Sequence, residues 1–363
     1  MIQSYSRRVT LFVGFNDNHR GILCQTVQSL FIMKHISIIV PLGQSSLVNI
    51  EGSLQILSEI NVLRAAKGED PLFHIQLVGL MRQVSQRNGL FTIVPDVLIQ
   101  DVKKTDLIII PSLQGDQPNA AEMNKEFIPW IRHHYQQGAE IASLCIGAFF
   151  LAATGLLNGK PCTTHWMLAD EFKRTYPEAK LMPSKIITDE DGLYTSGGAF
   201  SYLNLLIYLI EKYAGRDMAI KIAKSFVIDI DKISQSPFII FEGQKHHTDE
   251  EIKSAQEFIE KNYLEKITID QLADKFAIGR RNFERRFLKS TNNTVNEYVQ
   301  RVKVEVAKRK LESNRKNVSE VMYEVGYTDT KSFRDVFKKI TGLTPVEYRN
   351  KYSKQEVTGK VTS

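Results

Sequence analysis

One pattern occurs twice near the carboxyl end, and this repeat constrains the fold more than any other feature. In residues 317–349, Val318, Val321, Met322 and Val325 recur at the i, i+3, i+4, i+7 spacing of a half-buried helix face. Gly326 breaks that helix, and Thr328 is the expected cap of the next. There Phe333, Val336, Phe337 and Ile340 line one face, while Lys331, Arg334, Lys338 and Lys339 line the other. Gly342 and then Pro345 are expected to end it. Upstream, Ile269, Leu272, Ala273 and Phe276 form a matching first face, and Phe283 and Phe287 a second. Leu272 lies 49 residues before Val321 and Phe283 lies 50 before Phe333, so the two turns differ by one residue. Between them, residues 295–311 read as a connecting helix with Val295, Tyr298, Val299, Val302 and Val306 inside. A short helix with an apolar back and a basic front, held across a tight turn, fits a DNA major groove.

Charge supports this. The chain's net charge is only +6, but residues 280–316 hold twelve Lys and Arg against four Glu. Such a run is ordinarily a solvated helix face. Its coincidence with the repeat favours a stripe facing phosphates. The segment resembles the DNA-binding domain of the AraC/XylS family of bacterial transcription regulators. The resemblance rests on the closing Gly342-Leu343-Thr344-Pro345-Val346-Glu347-Tyr348-Arg349, and on Ser332-Phe333 through Phe337-Lys338-Lys339. Met322 departs from it, since the family usually has a small Ala there, and is expected to loosen the packing of the two helices. The implied recognition helices are 280–290 and 330–340. The first offers Arg280, Arg281, Asn282, Arg285 and Arg286, and the second Thr330, Lys331, Ser332, Arg334 and Lys338. Arg reads guanine edges and Asn reads adenine, whereas contacts to phosphate only position the protein. The two units are expected in successive major grooves, about 34 Å apart.

At 363 residues the chain has room for two or three domains. Three cysteines, Cys24, Cys145 and Cys162, are too few and too odd in number for a disulfide framework, which fits a reducing cytoplasm. No apolar run approaches the roughly 20 residues of a bilayer span. Arg7-Arg8 and the apolar 9–15 do not make a signal peptide, because the run is short and ends in polar residues. Residues 9–15 read as a strand and 22–32 as a helix. Residues 1–34 are expected to be a peripheral extension ahead of the opening Met33-Lys34-His35-Ile36.

From His35 the chain alternates strands and helices. Strands are expected at 36–40, 73–78, 90–94, 106–110 and 140–144, and helices at 48–64, 122–137, 148–157 and 202–213. The alternation predicts an α/β domain over 35–230, a parallel, flavodoxin-like sheet with helices on both faces. Residues 231–248 read as a linker, 249–351 as an all-α domain of two helix-turn-helix units, and 352–363 as a tail. In such a sheet, ligands sit off the carboxyl ends of the strands.

One stretch there carries chemistry. A strand ends on Cys145 and a helix follows at once, with Gly147 and Ala148 small enough for a close turn. This is nucleophile-elbow geometry, and the helix N-terminus is expected to lower the thiol pKa. His165 follows twenty residues on. Residues 35–230 resemble the PfpI-like branch of the class I glutamine amidotransferase superfold. The Cys145 elbow, Ala153-Thr154-Gly155-Leu156-Leu157-Asn158-Gly159 and Thr164-His165-Trp166 match the branch fused to AraC-type domains, the GlxA-like regulators. The resemblance implies a sensor of small metabolites, in several cases amino acids or quaternary amines. Enzymes of the superfold pair the Cys with a His and with a Glu that here falls on or near Val48. They use Gly-Gly where this chain has Pro111-Ser112-Leu113.

The expected ligand-binding residues are therefore Cys145, Ile146, His165 and Ser112, with no catalytic residue, metal or cofactor. Cys145 also reads as a small structural residue or as a nucleophile, and His165 as a core histidine. Trp130 and Trp166 read as core or as an aromatic cage, and His133-His134 as a helix end. His246-His247 lacks the spacing of a zinc site. The main reading is a cytoplasmic, non-enzymatic DNA-binding regulator, nucleoid-associated when bound. Its expected partners are operator DNA, a small-molecule effector and a second copy, with RNA polymerase a further candidate. The alternatives are a cysteine hydrolase or glyoxalase-like enzyme, and a sheet domain serving only dimerisation.

Overall fold

The computed structural model describes residues 33–313 and 316–353. The expected strand at 9–15, the helix at 22–32, Cys24, Arg315 and the tail beyond 353 lie outside them. The described chain opens with β1 (Lys34–Val40), α1 (Leu47–Ala65), β2 (Phe73–Gly79), a hairpin of β3 (Val84–Gln86) and β4 (Phe91–Ile93), then β5 (Val97–Leu98) and β6 (Leu107–Ile110). There follow α2 (Gln117–Met123), α3 (Phe127–Gln136), β7 (Glu140–Ser143), α4 (Gly147–Ala153), β8 (Pro161–Cys162), α5 (Ala169–Thr175) and β9 (Lys180–Leu181). The α/β part closes with β10 (Ile187–Glu190), β11 (Leu193–Ser196), α6 (Tyr202–Ala214) and α7 (Arg216–Ser225).

Seven strands form one sheet in the order β10-β11-β7-β6-β1-β2-β5. All neighbours are parallel except the edge pair β10–β11. β6 is a continuous apolar run and β1 is apolar from Ile36 to Val40 but for Ser37, because α1, α6 and α7 cover one sheet face and α2 to α5 the other. The expected helix at 122–137 is two helices, α2 and α3. Asn124 divides them: its Nδ2 donates to the carbonyls of Leu42 and Ala120 and its Oδ1 accepts from Leu42 N–H at 2.7 Å. A side chain that satisfies backbone groups locally competes with helix continuation. Sequence reading passed over β10 and β11, whose inward residues include Thr188, Thr195 and Ser196 rather than an apolar run.

The remainder is helical: α8 (Glu250–Lys261), α9 (Ile269–Lys275), α10 (Arg280–Thr291), α11 (Val295–Glu312), α12 (Val318–Glu324), α13 (Thr330–Thr341) and α14 (Pro345–Tyr352). Two aromatic cores hold it. Phe283, Phe287 and Tyr298 centre the first, and Phe333, Phe337 and Tyr348 the second. The connecting helix α11 serves both, presenting Val295, Tyr298 and Val302 to one and Val304, Ala307 and Leu311 to the other. Met322 is buried in the second core, where a flexible thioether fills an irregular gap. Two expectations are corrected. Asp329, not Thr328, caps α13, accepting from Ser332 N–H at 2.6 Å. Pro345 does not end the segment but starts α14, because a first-turn residue needs no N–H donor. Thr294 with Glu297 and Thr344 with Glu347 form capping boxes at equivalent points of the two units.

Residues 231–248 are not a free linker. Gln235 is 1% exposed and inserted into the α/β part. Its Nε2 lies 3.0 Å from the carbonyls of Thr164 and Pro183 and 2.9 Å from that of Lys185. Past Gln235 the chain turns onto the helices. Pro237 O accepts from the Tyr352 hydroxyl, Ile239 O from Lys308 Nζ, and Phe241 N–H donates to Glu305. Gln256 then donates to Gln244 O and pairs with His247. No helix among the described residues is long and apolar enough to cross a membrane.

At Gly147 an added Cβ would lie 2.6 Å from Pro111 O and 2.9 Å from Ile110 O, both backbone atoms. Gly147→Ala is therefore expected to destabilise the α/β part by about 1–3 kcal/mol, since backbone cannot swing aside as a side chain can. Chemical denaturation followed by circular dichroism checks this; an unchanged midpoint would refute the close approach.

Candidate functional site

Cys145 stands between β7 and α4 with φ of 56°, a left-handed backbone that non-glycine residues hold only where the surroundings enforce it. Here Cys145 N–H donates to Ser196 Oγ at 3.3 Å, and Cys145 O accepts from Thr164 Oγ1 at 3.2 Å. These bonds draw together the chain after β7, β8 and β11. A cavity of about 350 Å³ opens there. It lies beyond the carboxyl ends of β1 and β6, where the chain order of the sheet reverses direction.

The structure brings all four expected residues, Ser112, Cys145, Ile146 and His165, into its walls. Sequence reasoning missed Asn49, Met167, Leu168 and Phe200, which line it as well. Asn49 is the informative omission. Val48 is 50% exposed, whereas its neighbour Asn49 is 1% exposed and turned inward, with Oδ1 accepting from Ser112 N–H at 3.1 Å. Neither Trp130 nor Trp166 lines the cavity, so neither forms the aromatic cage. Trp130 packs edge-on against Phe127 and His134, and Trp166 lies beside His165.

The electrostatics are neutral. The cavity walls carry no Asp, Glu, Lys or Arg. Burial pushes the Cys145 thiol up to about 11, against the opposing pull of Ile146 N–H and the Ser112 hydroxyl. This corrects the expectation of a lowered thiol pKa: desolvation of the thiolate outweighs the helix N-terminus. Burial lowers the His165 pKa, and its Nδ1 accepts from Met167 N–H at 3.2 Å, so the neutral ring carries its proton on Nε2. Among the described residues no hydrogen bond joins His165 to Cys145. The Ser112 N–H that could stabilise an oxyanion is already engaged by Asn49. The thiol is thus not activated, the Ser112 N–H is already engaged, and among the described residues no hydrogen bond links the imidazole to the sulfur. His247 is used in packing, and no metal-type cluster occurs among the described residues.

The basic helices differ from one another. On α10, Arg280 pairs with Asp270 at 3.0 Å, and Arg285 donates to Asn282 at 2.7 Å. Arg281 is exposed. Arg286 does not stand with them. It bonds Asp249 and Glu251 at the start of α8, holding the Asp249 carboxyl below its usual range. Lys308 of the basic run is likewise internal, paired with Glu305 at 2.7 Å. On α13, Thr330, Lys331, Ser332, Arg334 and Lys338 are all exposed, and the three cations form no ion pair among the described residues.

Comparison with known proteins places these parts. The DJ-1/PfpI family profile matches residues 55–212, and a helix-turn-helix domain profile matches residues 272–351. The HTH-type transcriptional regulator GbdR of Pseudomonas aeruginosa (strain UCBPP-PA14) is 24% identical over 271 residues, 74% of this chain and 72% of its own length. The HTH-type transcriptional regulator GlxA of Rhizobium meliloti (strain 1021) is 23% identical over 229 residues, 61% of this chain and 68% of its own. A crystal structure of an AraC family transcriptional regulator from Pseudomonas putida overlays on 53% of this chain and 99% of its own, with 18% identity and a TM-score of 0.45.

With its pKa near 11, Cys145 is about one part in a thousand thiolate at pH 8. Site-resolved iodoacetamide labelling read by mass spectrometry is expected to show Cys145 reacting far more slowly than free cysteine, with a rate still climbing at pH 9. A plateau near pH 7 would restore the nucleophile reading.

Proposed function

We propose that this chain, a DNA-binding transcription regulator that joins a DJ-1/PfpI domain to an AraC-type helix-turn-helix domain, senses a small metabolite in the cavity beside Cys145 and His165 and relays its presence along residues 234–247. The observation that carries this is Gln235. It holds the carbonyl of Thr164, next to His165, while the residues that follow it pack on α11, α13 and α14. A ligand that binds better to one position of the Thr164–His165 loop favours one seat for Gln235, and so one placement of the helices.

The α/β part over 35–230 is the sensor, and 249–351 grips DNA. The two units enter successive major grooves of an operator. Arg281, Asn282 and Arg285 read or position on one, and Lys331, Ser332, Arg334 and Lys338 on the other. Arg280 also faces DNA once it exchanges its exposed partner Asp270 for phosphate, since such a pair is worth little. The protein acts in the cytoplasm as a homodimer on DNA and controls access or recruitment of RNA polymerase. It performs no catalysis.

Four results test this. A thermal-shift screen of amino acids, betaines and other small metabolites should yield a compound that raises the midpoint, as any ligand specific to the folded state must. Operator fragments selected from random DNA should bind with an affinity that falls steeply with salt. Arg281→Ala should weaken binding by ~1–3 kcal/mol and relax preference at one base pair. Equal weakening on every sequence would make Arg281 a phosphate contact. Gln235→Ala should keep DNA binding but lose most of the ligand's effect on it; full retention of that effect would rule out this relay.

A further inference from the structure

The buried Asn49 amide has a task that the fold itself does not supply. Its Oδ1 must face Ser112, because only an acceptor can satisfy that backbone N–H, and this fixes which end of the amide is which. Nδ2 is then left buried in the cavity wall without a hydrogen-bond partner. An amide donor taken out of water and left unpaired costs about 1–3 kcal/mol, so such groups in native proteins have a reason to be there. A second donor, the Nε2–H of His165, belongs to the same walls. The apolar Met167, Leu168 and Phe200 line the cavity beside the uncharged Ser46, Ser112 and Gln114, and no carboxylate is present to meet a cation.

We infer that the effector carries a carbonyl-type oxygen on a compact apolar body, and that Asn49 is the specificity-determining residue that donates to this oxygen. This rests on the sensor reading and deepens it. A carboxylate and a carboxamide share that oxygen. A bare quaternary ammonium lacks it, and it would meet neither a carboxylate nor a cage of tryptophans here.

The test uses the full chain with sodium butyrate, butyramide and tetramethylammonium chloride as probes, read on the Asn49 side-chain amide signals of 15N-asparagine-labelled protein. Butyrate or butyramide should shift these signals, and the stronger of the two identifies the source of the oxygen. Tetramethylammonium should leave them in place. Asn49→Asp keeps the acceptor for Ser112 N–H and removes the donor, so binding of the preferred probe should weaken about tenfold. Signals that no acyl probe moves, equal shifts with tetramethylammonium, or unchanged affinity in Asn49→Asp would each overturn the inference. A metabolite that binds the cavity while the Asn49 amide stays still would sink this inference alone. DNA affinity indifferent to every cavity occupant would sink the sensor reading instead.

Discussion

The side chain of Gln235 joins the two halves of this molecule. One amide nitrogen faces three carbonyls and the Thr163 hydroxyl, all within 3.3 Å. Two N–H bonds cannot serve four acceptors fully, so the site is an acceptor-rich seat that suits an amide and little else. The seat is built by the loop after β8 and the turn after β9, and it needs the bare backbone of Gly197, where an added Cβ would overlap the amide. The His165 loop and the position of residues 236–247 are therefore set together. On the helical side the same segment completes a buried Glu305–Lys308 pair by offering Phe241 N–H and Ile239 O. A buried ion pair is sound only when its remaining bonds are met, so neither half is complete without the strap.

The cavity follows the same logic of satisfied and unsatisfied groups. Cys145 holds a backbone strain of about 1–3 kcal/mol, a feature that in an enzyme would present a nucleophile. Here the sulfur is desolvated, the imidazole beside it is neutral, and Asn49 occupies the Ser112 N–H. The strained turn still places a small side chain and Ile146 at the mouth of the sheet, so the elbow shapes a wall. What remains unsatisfied is a donor.

Much of this was legible in the residues. The apolar runs of β1 and β6 and the Phe pairs of α10 and α13 announce their burial through composition and spacing. The elbow could be placed from Cys145, Gly147 and Ala148, while Ser112 and His165 joined it through the family resemblance. Asn49 could not be found that way. It follows Val48 on a helix and both line the cavity, so only the turn of α1 decides that Asn49 is the one buried against Ser112 N–H. The sign of the thiol shift was out of reach for a similar reason, because spacing locates a helix N-terminus but not how much water reaches the sulfur. Residues 231–248 read as a linker because Pro237 and Gly243 are turn formers, and what the segment packs against comes from distant parts of the chain. The start of α14 is readable, since Thr344-Pro345-Val346-Glu347 repeats the cap at Thr294, but a proline reads as a terminator as easily as a first-turn residue.

The repeat also hides an inequality. Both units have capping boxes and aromatic cores and pack on opposite faces of α11, yet their outward cations differ in freedom. α10 has Arg286 bound across two carboxylates of α8, Arg280 held by Asp270, and Arg285 leaning on Asn282. The exposed pairs contribute little to stability, whereas Arg286 closes the first unit against Asp249, the cap of α8. Among the described residues Lys331, Arg334 and Lys338 of α13 are exposed and form no ion pair. A helix with free lysines contributes charge at any sequence, while an Asn–Arg pair already set in geometry is suited to reading an edge. Duplication gave the chain two similar helix pairs, and the carboxylates of α8 and α9 hold the cations of one of them more firmly than those of the other.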